Sequence, residues 1–309
     1  MAITRRAEIL AKVETTYNTD PTPTPAADAV LVEEPTFSPT GQRMAERPVG
    51  RASLGALQSI YGGTLWQIEL KVALKHSGTV DTPPDWGPLM LACGTAETIN
   101  ATASVVYTPA SSGHKSITIY YYEDGKRYIF TGCRGTFTLE ATAGEPAKLS
   151  FTLTGHLSSV ADAALPTVTV DGTNPVAFNS AGVSVLGYSG VFSSLTMDAG
   201  LNVVTPPSAN ASDGYGEIRI TSRNVSGSID PEDTLIATKN FINEWQTGAT
   251  GAINTGVIGT SAGNRWQLQQ PKCYYNDVSP GDRDGIRTME LSYNAVESTG
   301  DDEWSLTLT

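Results

Sequence analysis

Apolar and polar residues alternate over long stretches of the chain, and this period of two predicts β-strands. Residues 65–74 are the clearest case, because Gln67, Glu69 and Lys71 alternate with apolar neighbours. A strand of this kind buries one face and leaves the other in water. The same alternation predicts a closing strand over residues 303–309.

Two hairpins are predicted in the first half of the chain. In the first, residues 116–122 and 126–130 flank an Asp-Gly pair, a dipeptide that readily adopts the type I′ turn. In the second, residues 135–140 and 148–154 are joined by a loop that contains Gly144. Gly and Pro, with 30 and 18 copies, punctuate the whole chain. Together these patterns favour an all-β architecture.

Short helices are predicted at three places. The first covers residues 5–15, near the N-terminus. The second follows Asp85, a good N-cap residue. The third has apolar residues at helical spacing over 235–245, behind Asp233 or Thr234 as a cap.

Residues 1–50 are predicted to form an extended N-terminal arm. The run Asp20-Pro-Thr-Pro-Thr-Pro25 forces a polyproline-like backbone, and Pro35, Pro39 and Pro48 keep the rest irregular. An arm of this composition buries little against its own domain. It is therefore either disordered or laid on a neighbouring subunit.

The second half of the chain repeats the first. Ser77-Gly-Thr-Val-Asp81 reappears as Ser226-Gly-Ser-Ile-Asp230, and each copy precedes a predicted helix. Further on, residues 149–153 match residues 289–293. When the two Ser-Gly motifs are aligned, the strands before them alternate one residue out of phase. Either a β-bulge repairs this mismatch or part of the match is accidental.

A tandem duplication accounts for this repeat. It predicts the N-terminal arm, a first domain over residues 51–160, a linker over residues 161–182 and a second domain over residues 183–309. The linker contains Asp171-Gly-Thr-Asn-Pro175, which is turn chemistry.

The net charge of −12 argues against a nucleic-acid-binding surface, because phosphate binding needs clustered Lys and Arg. It remains compatible with a protein that nucleic acid slides past, since a negative wall repels a polyanion. The alternative is that the acidic balance only keeps the protein soluble. No run of apolar residues reaches the length of a membrane span.

No catalytic, cofactor-binding or metal-binding residue is predicted, so the chain is expected not to be an enzyme. Cys93, Cys133 and Cys273 form neither a disulfide framework nor a zinc site, and suit assembly in a reducing cytoplasm. Gly259-Thr-Ser-Ala-Gly263 matches a nucleophile elbow, but every histidine lies upstream of it. Gly281-Asp-Arg-Asp-Gly285 is similar to part of a calcium loop, but its spacing favours a hairpin turn.

Three stretches carry a resemblance to a known family: residues 9–24, Gly87-Pro-Leu-Met-Leu-Ala-Cys-Gly94 and residues 127–155. They resemble the tail tube proteins of long-tailed bacteriophages with flexible, non-contractile tails. The resemblance covers the first half of the chain well and the second half only through the internal repeat.

The resemblance implies an all-β fold of two tandem tail-tube domains, each a β-sandwich or partly closed barrel with one helix packed on its outside. In the family, six such domains make a ring. Their inner sheets join into one barrel, and DNA passes through its lumen without specific binding. Most relatives supply one domain per chain and form homohexamers. A chain with two domains would form a homotrimeric, pseudo-sixfold ring, with a homohexamer as the alternative.

The implied role is structural: a subunit of the virion tail, made and assembled in the cytoplasm of the bacterial host, without membrane contact. Its implied partners are further copies of itself and, by analogy, the tape measure protein, the tail terminator and the tail-tip proteins. Gln67, Glu69 and Lys71 are the candidate lumen-facing residues, if that face of the strand points inward. The arm would clip one ring to the next, and its candidate contact residues are Ile9, Val13, Tyr17, Pro21, Pro23 and Pro25.

Two other functions stay open. One is a different tail component or a head–tail connector of similar fold, which would not polymerise into long tubes. The other is a glycan-binding β-sandwich of the virion, because the exposed aromatic residues of such a fold can form a sugar platform.

Overall fold

The computed structural model describes residues 6–179 and 182–309, and their elements are almost all antiparallel β-strands. Residues 1–5 of the predicted arm and residues 180–181 of the predicted linker lie outside this described part. The elements of the first half are, in order, β1 (Ala7–Val13), β2 (Ala29–Val30), β3 (Glu33–Thr40), β4 (Met44–Ala45), β5 (Ile60–Tyr61), β6 (Leu65–Ala73), α1 (Gly87–Ala92), β7 (Thr95–Asn100), β8 (Ser104–Pro109), β9 (Ile117–Glu123), β10 (Gly125–Thr142) and β11 (Lys148–Ala163).

The second half continues in the same style, with long paired strands and one short helix. Its elements are β12 (Ser184–Val185), β13 (Phe192–Asp198), β14 (Leu201–Val204), β15 (Arg219–Arg223), β16 (Ser226–Pro231), α2 (Phe241–Thr247), β17 (Gly251–Asn254), β18 (Trp266–Arg283), β19 (Ile286–Ala295) and β20 (Ser305–Leu308).

The main sheet forks along β10. On one side, β10 pairs with β11 over almost its whole length. On the other side, its first part pairs with β9 and its last part pairs with β13. The sheet therefore divides into two layers, and apolar side chains fill the space between them. Phe137 of β10, for example, stacks edge-on against Trp304 beside β20, with ring centroids 5.4 Å apart.

One layer runs in the order β3-β6-β11-β10-β13-β16-β19-β18, and every neighbouring pair in it is antiparallel. The two halves of the chain meet in this layer at the β10–β13 pair. They meet again where β20, at the C-terminus, pairs with β8 of the first half.

This layer consists of two copies of one four-stranded unit. The order β3-β6-β11-β10 of the first half is repeated as β13-β16-β19-β18, and a helix follows the second strand of each unit. The bulges repeat as well. β3 shifts register against β6 between Glu33 and Thr36, and β13 shifts against β16 at the equivalent place, between Phe192 and Leu195. We interpret this shared irregularity as a mark of duplication.

The structure corrects the alignment of the two Ser-Gly motifs. Residues 226–230 lie in β16, whereas residues 77–81 lie in the turns after β6. In the paired strands, Leu70 lies opposite Phe151 and Ile229 lies opposite Leu291. If residues 149–153 correspond to residues 289–293, Phe151 corresponds to Leu291, and their partners Leu70 and Ile229 correspond as well. β16 is therefore equivalent to β6 itself and not to the residues that follow β6. The Ser-Gly match is accidental, and the mismatch in phase disappears.

The helix predicted over residues 5–15 is wrong for its described residues, because Ala7–Val13 is β1. β1 pairs along its full length with β9, so a tertiary contact overrides the local helical pattern. Arg5 lies outside the described residues. The chain is extended here, and it belongs to the sheet of its own first half.

The other two helices exist with different caps. α1 begins after Trp86, and the Asp85 carboxylate is directed at Lys75 instead, with Oδ2 3.6 Å from Nζ. α2 is shorter than predicted. Asn240 caps it, its side-chain oxygen accepting a hydrogen bond from the backbone N–H of Asn243 at 3.0 Å. The predicted caps Asp233 and Thr234 therefore lie too early in the chain.

Both predicted hairpins form, but the type I′ geometry occurs elsewhere. A type I′ turn needs positive φ at both central residues. Between β9 and β10 only Gly125 has positive φ, at 98°. Asp284 and Gly285, between β18 and β19, have φ of 54° and 84°. The Gly281–Gly285 segment is thus a hairpin end, as its spacing predicts.

The two halves share one apolar core. The main cluster of buried side chains includes Ile68 and Phe137 from the first half and Leu195, Leu291 and Trp304 from the second. The predicted division into two domains and a linker therefore stays an interpretation of the sequence.

Candidate assembly interface

The β3-to-β18 layer presents a continuous polar face. Because successive side chains on a strand point to opposite sides, one face of each strand is apolar and packs on the core, and the other is polar. Cross-strand pairing aligns the polar residues into rows. One such row crosses β6, β11, β10, β13, β16 and β19 through Lys71, Ser150, Thr138, Asp198, Ser226 and Asn294.

The three candidate lumen residues lie on this polar face. Gln67 donates a hydrogen bond to Glu69, with a distance of 2.6 Å between Nε2 and Oε1. The Lys71 ammonium lies 3.4 Å from the carboxylate of Glu34. The structure thus places all three together at the β6 end of the face. Their orientation towards a channel stays a prediction.

Carboxylates outnumber cations on this face. Lys148 is one of its few bases and lies 2.7 Å from Glu33. The hydrogen bond from Lys148 to this carboxylate raises the pKa of the lysine above its usual value. The carboxylates that share the face by register are Glu69, Glu140, Asp198, Asp277 and Glu290.

The junction between the two units is a fully formed antiparallel ladder. Five residue pairs connect β10 to β13, from Thr138 opposite Asp198 to Thr142 opposite Ser194. On the core side of this ladder, Leu139 and Met197 lie opposite each other and are 0% and 1% exposed. The two units are therefore joined by both backbone hydrogen bonds and apolar packing.

Two strand edges of the same layer lack a partner within the described residues. The outer edge of β3 is one of them, because β3 pairs only with β6. The other is the last part of β18, where residues 277–283 pair only with β19. Unpaired edges of this kind readily pair with another chain.

The N-terminal segment is anchored to its own half by a buried carboxylate. Glu14 is 5% exposed and accepts hydrogen bonds from the hydroxyls of Ser116 and Thr118, at 2.6 and 2.7 Å. The backbone N–H groups of Gly132 and Asn18 also donate to it, each at 2.7 Å. All four donors are uncharged groups, namely two hydroxyls and two backbone N–H groups.

Tyr17 connects this segment to both halves of the molecule. Its hydroxyl accepts a hydrogen bond from the backbone N–H of Ile218 at 2.8 Å and lies 3.1 Å from Nε2 of His156. The other ring nitrogen of His156 lies 2.5 Å from the carboxylate of Asp213. Burial is the largest influence on Tyr17 and raises its pKa to about 12.

The expectation that the arm buries little against its own domain is wrong. Ile9 is fully buried, Val13 is half-buried against the core and Pro23 is buried. Pro21 and Pro25 are half-buried, and the Pro25 carbonyl accepts a hydrogen bond from the backbone N–H of Thr169 at 3.1 Å. Contact between these residues and a second ring stays a prediction.

The described residues hold no cluster of three or more His, Cys, Asp or Glu side chains suited to a metal ion. The Gly259–Gly263 loop is a turn ahead of β18. One cleft, of about 450 Å³, is lined in part by Arg223 and Glu303, whose side chains form an ion pair 2.7 Å apart. Neither of the two described helices is long and apolar enough to cross a membrane.

The comparison with protein families decides the identity. The model of a family described as phage tail tube protein matches residues 4–296, nearly the whole chain. The chain belongs to the phage tail tube protein family. A comparison with curated proteins gives no match.

Membership makes this chain a structural component of the virion tail that assembles with itself into a tube and contacts other tail proteins. The match includes the second half, which sequence resemblance reached only through the internal repeat. Sequence reasoning located the polar strand of β6 but missed the rest of the polar face. The serines and threonines of β11, β13 and β16 carry the same alternation, and that signal could have found them.

Proposed function

We propose that three copies of this tail tube protein form a ring of pseudo-sixfold symmetry, and that stacked rings make a hollow tube through which phage DNA passes. The observation that carries the proposal is the β10–β13 ladder, because it already joins two copies of the four-stranded unit into one sheet with one polar face. A ring extends this arrangement around an axis.

The dimensions of such a ring suit a channel. Four strands from each of six units give about 24 strands, and neighbouring strands lie about 4.8 Å apart. The circumference is then about 115 Å, and the diameter between backbones is on the order of 35–50 Å, depending on strand tilt. A barrel of this size encloses an aqueous channel wider than a DNA duplex.

The polar face is suited to the passage of DNA without binding. Glu69, Glu140 and Glu290 place negative charge on it, and a negative wall repels phosphates. Hydroxyl side chains between them keep the surface hydrated. Gln67 and Lys71, from the same strand as Glu69, would then line the lumen as well.

The remaining partners belong to the same proposal. Tube ends and lumen would contact the tape measure, terminator and tail-tip proteins, and the outer part of residues 1–50 would reach the next ring. Assembly would take place in the host cytoplasm. The three buried cysteines are free, which suits a reducing compartment.

Electron microscopy of the purified chain tests the assembly. We expect tubes with a central channel and threefold symmetry in end-on class averages. Six chains per ring would replace the trimer by the homohexamer. Particles that have a channel but never lengthen would favour a connector, and particles without a channel would overturn the proposal.

DNA retention tests the role of the polar face. We expect tubes of the triple variant Glu69→Lys, Glu140→Lys, Glu290→Lys to retain duplex DNA at low salt, and wild-type tubes to release it, because lysines bind phosphates. The control makes the same change of charge at exposed carboxylates away from the face, in Glu46→Lys, Asp162→Lys, Glu297→Lys. Equal retention by both variants would contradict the location of the lumen.

A further inference from the structure

The β10–β13 ladder gives a template for a contact between separate copies of the chain. In terms of the repeated unit, the fourth strand of one unit pairs with the first strand of the next. The fourth strand of the second unit is β18, and the first strand of the first unit is β3. These are the two strands of this layer whose outer edges lack partners within the described residues.

The register of the missing contact follows from the internal repeat. Thr138 of β10 lies opposite Ser150 of β11, and Ser279 of β18 lies opposite Glu290 of β19. Because residues 149–153 correspond to residues 289–293, Ser279 is equivalent to Thr138. In the same way, Ser38 of β3 lies opposite Gln67 of β6, and Asp198 of β13 lies opposite Ser226 of β16. Because β6 and β16 correspond, Ser38 is equivalent to Asp198.

We propose that β18 of one copy pairs with β3 of the next copy in the register of the internal ladder. Thr138 lies opposite Asp198 inside the chain, so Ser279 lies opposite Ser38 of the next copy. Gly281 then lies opposite Thr36 of the next copy. The contact is head-to-tail, and it rests on the proposed ring, since only a closed ring satisfies both edges of every copy.

The two faces of the proposed ladder agree with those of the rest of the layer. Ser279 and Ser38 pair with Glu290 and Gln67 in their own chain, so both lie on the polar face. Phe37 lies on the opposite, apolar face, where its ring centroid is 4.9 Å from that of Tyr121. A register shifted by one residue would place apolar side chains on the polar face.

Charge also favours this register. Thr142 and Ser194 form the last pair of the internal ladder. Their equivalents are Arg283 and Glu34, so the proposed ladder ends on residues of opposite charge, each of which also has an ion-pair partner in its own chain, Asp230 and Lys71. Such cross-strand pairs stabilise an antiparallel ladder.

Prolines distinguish the open edges from the internal junction. Pro280 occupies the position of Leu139, and Pro35 that of Leu195. A proline has no N–H to donate, and prolines on edge strands oppose unprogrammed pairing. The contact between copies is therefore poorer in hydrogen bonds than the internal one. It gains stability when ring closure completes all contacts together.

Disulfide trapping tests the register. A chain with Ser279→Cys and Ser38→Cys places two thiols on directly opposed positions, whose Cβ atoms lie about 4.5–5.5 Å apart, close enough for a disulfide after a small shift. Oxidation of assembled tubes should convert most of the protein into a covalent trimer on a non-reducing gel. The native cysteines, at most 1% exposed, should contribute no background.

The matched control carries Asp277→Cys and Thr36→Cys. These positions lie four residues out of register, about 13 Å apart along the strand, too far for a disulfide. We expect at least tenfold less crosslinking than with the first pair. Equal crosslinking, or none from the first pair in well-formed tubes, would overturn the pairing and leave the proposed tube intact.

Mixing singly substituted chains covers the case in which the double variant does not assemble. Ser279→Cys and Ser38→Cys chains are nearly isosteric with the wild type, and neither should crosslink alone. Their mixture should yield covalent dimers after oxidation. A mixture that forms tubes without dimers contradicts the register, whereas wild-type protein that forms no tubes contradicts the proposed function itself.

Discussion

The buried carboxylate of Glu14 holds the N-terminal segment on the sheet. It accepts hydrogen bonds from two hydroxyls and two backbone N–H groups, and it connects β1 to β9 and to the bulge of β10 at Gly132. Three residues later, the Tyr17 hydroxyl accepts a hydrogen bond from the backbone N–H of Ile218 and so connects the segment to the second half. A short polar segment thus ties three parts of the molecule together.

Replacing Glu14 with Gln is expected to lower the free energy of unfolding by about 2–4 kcal/mol. The amide NH₂ replaces an acceptor and faces donors that it cannot satisfy. Chemical denaturation measures the change. As a control, Glu290→Gln should stay within about 0.5 kcal/mol, because the Glu290 side chain is exposed. A Glu14→Gln variant as stable as the wild type would show that the network contributes nothing.

The buried side chain of Tyr17 should make the folded protein less stable in alkaline solution. Its pKa is raised from 10.0 to about 12 by burial, so the unfolded chain loses this proton first as the pH rises. The stabilisation is complete below pH 10 and is lost by about pH 12, an amount of about 2–3 kcal/mol. Unfolding curves of wild type and Tyr17→Phe should converge over this window. Parallel curves would contradict the assignment.

At the scale of elements, the two four-stranded units fill equivalent core positions with different side chains. In the first unit, Ile68 of β6 lies opposite Leu153 of β11. In the second unit, Gly227 of β16 lies opposite Tyr293 of β19. The tyrosine ring occupies the space that the glycine leaves, and its hydroxyl donates a hydrogen bond to the Thr196 carbonyl at 2.9 Å. One large aromatic side chain that covers a glycine thus replaces two aliphatic side chains at the equivalent pair of positions.

Replacing Gly227 with Ala should therefore be costly. An added Cβ would lie 2.1 Å from the Thr196 carbonyl oxygen and 2.5 Å from the Tyr293 hydroxyl, so the backbone of β13 or β16 must move. We expect a loss of about 2–3 kcal/mol in thermal or chemical unfolding. Gly172→Ala is the matched control, because nothing lies within 4 Å of its added Cβ. Equal effects at both sites would contradict the close packing.

At the scale of the whole molecule, the repeated units are not independent. The β10–β13 ladder joins them in one layer, the β20–β8 pair joins the halves again, and a single apolar cluster runs through both. Separating the halves would expose Leu139 and Met197, both of which are buried now. We therefore expect the whole chain to unfold as one cooperative body.

Calorimetry of the unassembled chain should accordingly record one transition, with calorimetric and van't Hoff enthalpies in agreement. Residues 183–309 expressed alone should lack a cooperative transition, because β13 and β20 lose their partners in the first half. Two resolved transitions, or a stably folded fragment, would favour two separate domains.

The sequence by itself determined the fold class, the two hairpins and the polar strand of β6. These features depend on local alternation and turn residues, which can be recognised without knowing which strands lie side by side. It also indicated the duplication and the family. It misplaced features that depend on other parts of the chain: β1 is a strand because β9 lies beside it. The helix α2 begins only at its cap Asn240, and Leu235 and Ile236, which were predicted to belong to it, lie exposed before it.

Only the tertiary structure decided how the repeats correspond and where they meet. A match of short motifs, such as the Ser-Gly pairs, carries no information on strand pairing, whereas the ladders fix it residue by residue. The polar face, the single core and the two open edges arise from contacts between residues far apart in the chain. Backbone hydrogen bonding across strands is their physical cause, and alternation along one strand does not specify which strand will lie beside it.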